Sequence, residues 1–372
     1  MAKIYSYHVT DHHWSELIIS PRFWLCALLI VLLAVSIANA QSLEETIQQL
    51  SEDAAKAYVA PVVDGLGANL NTGWFRQSPP PTQVGFNISV GIVAMGAFVD
   101  EGRLRFSTEG SYNFQEDEAR ELASSIDGWN LLPAMVQDEI INAVINTEFS
   151  AIISGPTVVG SEEEQVTIQT NDVTIQVGNE SYLIEGETVE LEVTGLVENP
   201  PLLPTAAPQL TVGTVMGTQV TFRYMPSVKI SDAIGSMKYF GFGLLHNPSV
   251  WLAEPLPVDF AVGYFRQRIQ IGSTFEEKTS ALGIYASKKF GNFMASVTPY
   301  VGYMFENSKM SVTYSYNVSD QLDPINVNLE IDGANSNRFL LGVGVNFVGI
   351  NLAVDYNLGN VKTGSVSLMF GM

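Results

Sequence analysis

Cysteine, histidine and positive charge are all scarce in this chain. Its 372 residues include one Cys and four His, and 18 Lys and Arg stand against 39 Asp and Glu, a net charge of −21. Charged residues make up 15%, where a soluble domain carries about 25%. The cation deficit excludes a nucleic-acid binder, whose affinity rests on clustered Lys and Arg facing phosphates. The missing cysteines exclude a disulfide scaffold, and with His246 the one histidine left after Ala40 a zinc site has no Cys or His set to hold it. After Ala38 no apolar run reaches the length of a transmembrane helix.

The longest apolar run, Phe23 to Ala38, has sixteen residues. It follows a segment carrying Lys3 and Arg22 and ends in Ala38-Asn39-Ala40 before Gln41. A basic start, a short apolar core and a small-x-small exit predict a cleaved secretory signal over 1–40, cut between Ala40 and Gln41. Removing it takes Cys26, three of the four histidines, two cations and two anions, so the mature charge stays at −21. An exported chain with no Cys must be held by burial, backbone pairing or a bilayer.

The C-terminal half alternates with period 2. Phe339, Leu341, Val343, Val345 and Phe347 oppose Arg338, Gly342, Gly344 and Asn346. Ile350–Leu358, Thr363–Met372 and Phe293–Phe305 follow the same rule, and Met310–Val318 and Ile325–Ile331 are further segments. Val84–Val99, Leu210–Tyr224, Lys238–Leu245, Val258–Ile271 and Lys278–Phe290 are less regular, and Arg103–Ser107 is weaker still. Alternation marks strands with two unlike faces. The segments approach the 9–11 residues of a tilted membrane strand. One face is large and tipped with aromatics, as a lipid-facing band is, and the other is too small and polar for a sandwich core. The expected fold is therefore an all-β membrane protein, an antiparallel outer-membrane β-barrel of 12–14 strands over 83–372. Arg266 and Arg268 should mark where their strand leaves the hydrocarbon.

Residues 41–82 read as an N-terminal helical plug. Ser42 and Glu45 form a capping box, and Leu43, Ile47, Leu50, Ala54 and Ala57 follow at helical spacing, with Pro61 expected to end or kink the helix. A helix this short is marginal alone in water, so its apolar stripe is expected inside the barrel mouth. An insertion at 101–208 mixes helices at Glu116–Ser125 and Pro133–Asn146 with a hairpin about Asn171-Asp172, and either caps the barrel or adds two spanning strands. Glu162–Glu164 reads as a solvated acidic loop.

Three stretches carry a resemblance. AKAYVAPVVDGLGANLNTGWF (55–75), LPTAAPQLTVGTVMGTQVTFRYMP (203–226) and GFGLLHNPSVWLAEPLPVDFAVGYF (241–265) resemble a bacterial outer-membrane family of unknown function. More distantly, a luminal N-terminal segment with a barrel of this size is similar to the long-chain fatty acid transporter family. That resemblance implies fourteen strands and uptake of hydrophobic molecules.

Chemistry is thin. His246 alone survives processing, at a strand-to-turn junction, and no Gly-x-Ser-x-Gly elbow is present, so no enzyme activity, cofactor or metal is expected. Tyr58, Trp74, Phe75 and Trp129 are the candidate lining of an apolar ligand pocket. The expected role is a channel or transporter for hydrophobic or amphipathic small molecules in the bacterial outer membrane. The alternative is a surface scaffold or adhesin-like protein without transport. A general porin is weaker, because the small-residue faces look short of the Arg a constriction needs. Expected partners are outer-membrane lipid and a hydrophobic small molecule, with no nucleic acid; the oligomeric state stays open.

Overall fold

The computed structural model describes residues 52–371 apart from 83, 115, 127, 179, 232–234, 255, 293 and 317–324. The signal segment, its cleavage after Ala40 and the capping box at Ser42 lie outside the described residues. No helix among the described residues is long and apolar enough to cross a membrane.

Ten strands, among the described residues, form one antiparallel barrel. They are β1 (Val84–Phe98), β2 (Leu202–Val215), β3 (Thr218–Ser231), β4 (Gly235–His246), β5 (Asp259–Ile271), β6 (Phe275–Ser287), β7 (Ala295–Tyr316), β8 (Asn337–Phe347), β9 (Ile350–Leu358) and β10 (Thr363–Gly371). Each pairs with its neighbour in sequence, and β1 closes the ring on β10 from Ser89↔Gly371 to Ala97↔Thr363. Closure leaves no unpaired edge, as a strand-built membrane span requires. At the proximal end the chain enters β1 and leaves β10. At the distal end lie the insertion between β1 and β2 and a strand, Ile325–Asp332, paired only with the distal part of β7.

The expected 12–14 strands reduce to ten for three reasons. Met310–Val318 continues the strand that holds Val297–Phe305, and Ile325–Ile331 pairs only on that continuation. Arg103–Ser107 falls in a separate four-stranded sheet of the insertion. In the other direction, Leu210–Tyr224 is two strands joined at Met216-Gly217. Both turn residues have positive φ (49° and 67°), as a two-residue hairpin of type I′ requires.

The faces follow the alternation. Phe339, Leu341, Val343, Val345 and Phe347 point outward, while Arg338 and Leu340 point inward and are buried. Phe339 to Phe347 spans about 27 Å along the strand at 3.4 Å per residue. At a tilt near 40° this gives about 20 Å of height, close to the ~25 Å apolar band of outer-membrane barrels. On β5 the outward residues Phe260, Val262 and Tyr264 give way to Arg266 and Arg268. Arg268, Lys278 and Lys309 face one another across β5, β6 and β7 and mark the distal edge of the band.

Helix α1 (Glu52–Leu70) runs down the barrel axis from the distal end. Pro61 neither ends nor kinks it out of the fold: the helix continues for nine residues beyond it. Packing on every side outweighs the one backbone bond that Pro removes. Its first half lies above the barrel, where Ala54, Tyr58 and Val59 meet Val158 and Val159 of the insertion and Met310, Val312, Leu329 and Ile331 of the distal arm. Its end lies inside, with Leu70 against Val93, Ala207 and Met225.

The insertion carries α2 (Glu116–Ser124) and α3 (Ala134–Ile145), and its strands form their own two sheets and add none to the barrel. The hairpin expected about Asn171-Asp172 is displaced. Thr167–Thr170 pairs with Phe149–Pro156 and Thr188–Glu190, and Val173–Val177 pairs instead with Glu180–Ile184. Gly178, at φ 62°, supplies the positive backbone angle this turn needs.

Candidate functional site: a filled lumen and the cavity beneath it

The last turn of α1 ends inside the barrel. A helix C-terminus leaves four carbonyls without partners and carries about half a negative charge. Two arginines answer it. Arg338 of β8 donates from Nη2 to the Ala68 carbonyl at 2.8 Å, from Nη1 to Thr72 Oγ1, and from Nε to Glu306 at 2.9 Å. Arg223 of β3 donates to the Leu70 carbonyl at 3.5 Å and to Gln209 Oε1 at 3.0 Å. In a ring of ten, β3 and β8 are five strands apart, so the two arginines reach the helix from opposite walls. Both are fully buried. Asn69 adds hydrogen bonds to the Leu203 carbonyl (2.8 Å) and Thr205 (3.1 Å).

Below the helix the chain turns through Trp74 and Phe75. Trp74 donates from Nε1 to the Leu70 carbonyl (2.9 Å). Its ring lies 3.9 Å below the Arg223 guanidinium, a cation–π contact, and 5.1 Å from Phe265. Phe75 stacks on Tyr285 at 4.3 Å and meets Tyr300 edge-on at 5.5 Å. These rings fill the middle of the lumen. Tyr300 leads on to Asp355, which accepts from Ser365 and Asn357 at 2.6 Å each.

At the proximal end a cavity of about 410 Å³ stays open beneath Trp74. Arg76, Gln77, Asn87, Ser89, Thr211, Gln219, Lys289, Thr298 and Met369 are among its lining residues. Arg76 reaches Thr211 Oγ1 at 3.4 Å through Nη2, and its buried Nη1 has no partner. Burial pushes the Arg76 guanidinium down to about 10, so it remains a cation at neutral pH.

Trp74 and Phe75 therefore share one cluster, and Trp74 lines the cavity. Tyr58 and Trp129 lie elsewhere. The Tyr58 hydroxyl donates to the Thr194 carbonyl (2.9 Å) at the distal end, with its ring edge-on to Phe106, and desolvation raises its pKa above the ordinary phenol value. Trp129 is half-buried in the insertion's own core beside α2 and α3. The four aromatics do not form one pocket. The alternation sets Arg338 on the small-residue face but gives it no role, and it does not single out Arg76, Arg223 or Glu306. The luminal faces hold two arginines after all, and the signal was an Arg at an inward position of an alternating strand.

The other candidates have structural partners. His246 meets Thr218 Oγ1 through Nδ1 (3.0 Å) and accepts from Trp251 Nε1 (3.3 Å). Glu164 pairs with Arg105. Among the described residues no cluster of three His, Cys, Asp or Glu side chains is arranged to hold a metal.

Residues 20–372 match the family described as "Family of unknown function (DUF6588)", and the chain belongs to it. No curated protein matches. Similar solved structures are bacterial outer-membrane proteins. One is a loop L8 deletion mutant of OmpT, an outer membrane protein of Vibrio cholerae, at 9% identity over 77% of this chain and 98% of that one, TM-score 0.22. Another is OmpF of Salmonella typhi in complex with daunomycin, at 11% over 77% and 96%, TM-score 0.21. A third is the outer membrane channel DcaP of Acinetobacter baumannii, at 9% over 80% and 100%, TM-score 0.17.

Proposed function

We propose that this chain resides in the bacterial outer membrane as a gated channel or transporter for amphipathic small molecules, with α1 as the gate. The outward apolar band supports the location. The observation that carries the gating is the fastening of α1: its end is held by side chains from two opposite walls, Arg223 and Arg338, with no covalent tie, above a cavity that already reaches the proximal mouth. Releasing those contacts, with Trp74 and Phe75 leaving the ring cluster along with the helix end, would join the cavity to the distal end.

A reversible lock tests this. A Cβ on Gly65 would lie 3.4 Å from that of Ala97 on β1, near the ~3.5–4.5 Å of a disulfide. The paired variant Gly65→Cys with Ala97→Cys adds the sole cysteines of a chain processed at Ala40. Solute entry into proteoliposomes should fall on oxidation and return with dithiothreitol. Equal entry in the two states would sink the gate.

A second reading has its own support. Leu131 and Met135, four residues apart in the insertion, are 89% and 74% exposed, two large apolar side chains that a protein contact would cover. A scaffold of this kind would admit no solute in any variant, and binding to cells would vanish when the insertion is trimmed.

A further inference from the structure

The cavity is unlike the rest of the molecule in its charge. The chain carries 39 acidic residues against 18 basic ones. Among the described residues lining this cavity, none is acidic and two are basic, Arg76 and Lys289. Elsewhere the arginines of the lumen are held by other groups of the fold: Arg338 by Glu306 and the helix end, and Arg223 by Gln209, the Leu70 carbonyl and the Trp74 ring, with its Nη2 left over away from the cavity lining. Arg76 is not. It makes one long hydrogen bond, to Thr211, and leaves Nη1 buried without an acceptor. A buried donor with nothing to donate to costs stability unless something fills the place. Lys289, exposed at the rim beyond β6, forms no ion pair among the described residues.

The remaining walls are of two kinds. Thr211, Ser89, Asn87 and Gln219 gather on the β1–β2–β3 side, near Arg76. Trp74, Leu245 and Met369 give apolar surface, all three buried. A guanidinium suits a carboxylate or phosphate through paired donors, and the apolar walls suit a hydrocarbon or ring system.

We propose that this cavity binds an amphipathic anion, its acidic head on Arg76 with Lys289 at the entrance and its apolar body against Trp74, Leu245 and Met369. The assignment rests on the transport reading above and names its class of solute. A volume of about 410 Å³ lies at the small end of ordinary ligand sites, so the solute is a compact one and not a two-chain phospholipid.

Titration calorimetry on the full chain in phosphatidylcholine nanodiscs tests this, with empty nanodiscs as the blank. The probes are decanoate, decanol, decyltrimethylammonium and inorganic phosphate. Decanoate should bind at least tenfold more tightly than decanol or decyltrimethylammonium, and more tightly than phosphate. Arg76→Gln should remove that preference, lowering decanoate affinity about tenfold while leaving decanol unchanged. Lys289→Glu keeps Arg76 in place and guards against a folding failure; it should weaken decanoate and strengthen decyltrimethylammonium. Decanoate and decanol binding alike, in wild type and Arg76→Gln, would overturn the anion and leave the transport reading standing. Phosphate binding as tightly as decanoate would overturn the amphiphile. Displacement of decanoate on moving to phosphatidylglycerol nanodiscs would assign the site to a lipid headgroup and overturn a free solute. Absence of binding by every probe, with the oxidation lock still governing entry, would overturn this site alone; failure of both would remove the transport reading as well.

Discussion

The Arg338–Glu306 pair offers a way to separate the stability of the barrel from the fastening of its helix. The two side chains are 0% and 1% exposed. Arg338→Met alone strips the partner from a buried carboxylate, and breaking such a pair costs about 3–5 kcal/mol. Arg338→Met with Glu306→Met removes both charges and fills the space with side chains of similar volume. Replacements of that kind are often neutral for the host fold, or stabilising by about 1–4 kcal/mol. The barrel should then unfold in urea near the wild-type midpoint. The helix, however, has still lost the donors to the Ala68 carbonyl and Thr72 Oγ1. Hydrogen bonds to a charged donor contribute about 1.5–3 kcal/mol each, so losing the two weakens the attachment of α1 by about 3–6 kcal/mol. At 1.4 kcal/mol per tenfold, the lower bound raises the released population by about a hundredfold. Planar-bilayer recording reads it out: rare or absent openings in the wild type, frequent ones in the double variant, and Arg223→Met acting in the same direction from the opposite wall. The reasoning fails if the double variant is as unstable as the single one, since the lone charge would then not be the cost. It also fails if the double variant matches the wild type in both stability and closure.

Three further outcomes follow from the same geometry. Val343→Arg, in the middle of the outward band of β8, should destabilise the barrel in lipid by about 2–4 kcal/mol, whereas Ser311→Arg, past the distal edge on β7, should cost about 0–1 kcal/mol; equal costs in urea titrations would misplace the band. Val348 sits at φ 47° beside Gly349 in the β8–β9 turn, a conformation disfavoured by roughly 1–2 kcal/mol for an ordinary side chain, so Val348→Asn should raise the unfolding midpoint. Phe75→Ala, which removes a ring 2% exposed and stacked on Tyr285, should destabilise by about 3–5 kcal/mol; an unchanged midpoint would mean that the ring cluster does not brace the lumen.

How much of this was legible depends on what each residue faces. The sides of β8, β9 and β10 could be read directly, because each has lipid outside and small or polar residues inside. The β2–β3 turn could not. Odd-numbered residues point inward on both strands, as Gln209↔Arg223 and Thr211↔Thr221 show, and an irregularity between Gly213 and Val215 keeps that phase through Met216-Gly217. A reader counting every second residue meets one unbroken strand. The plug's fasteners were hidden for another reason. Arg223 and Arg338 sit at correct inward positions, but nothing local indicates that a helix end 130 or more residues earlier in the chain supplies their acceptors. The four aromatics chosen as one pocket were grouped by type, and the fold distributes them between the distal clasp, the lumen and the insertion.

The most informative misreading concerns β7. From Val297 to Phe305 the odd-numbered Val297, Val301 and Phe305 point outward, while the inward even-numbered side chains mix Ser296, Thr298 and Glu306 with Tyr300 and Met304 of the luminal cluster. From Met310 onward the apolar residues are even-numbered and buried: Met310 and Val312 pack against Tyr58 and Val59 of α1. The phase reverses at Glu306-Asn307-Ser308-Lys309, and alternation alone divides the strand there into two segments, Phe293–Phe305 and Met310–Val318. The backbone does not turn, since pairing with β6 continues without a break from Ser287↔Tyr300 to Phe275↔Val312. What changes is the solvent. Along the first part the outside is hydrocarbon; beyond Lys309 the outside is water and the greasy neighbour is α1. The same position also holds the outward cations Arg268, Lys278 and Lys309 in register. Two independent signals, an inverted hydrophobic phase and a row of cations, thus fix the same membrane boundary. The first half of α1, clasped by Val158, Val159, Val312 and Leu329, then lies outside the bilayer, and only its second half blocks the lumen. A gate of this kind need not leave the barrel: withdrawal by the length of the turn that Arg223 and Arg338 hold, about 5 Å, would break every contact fastening its end.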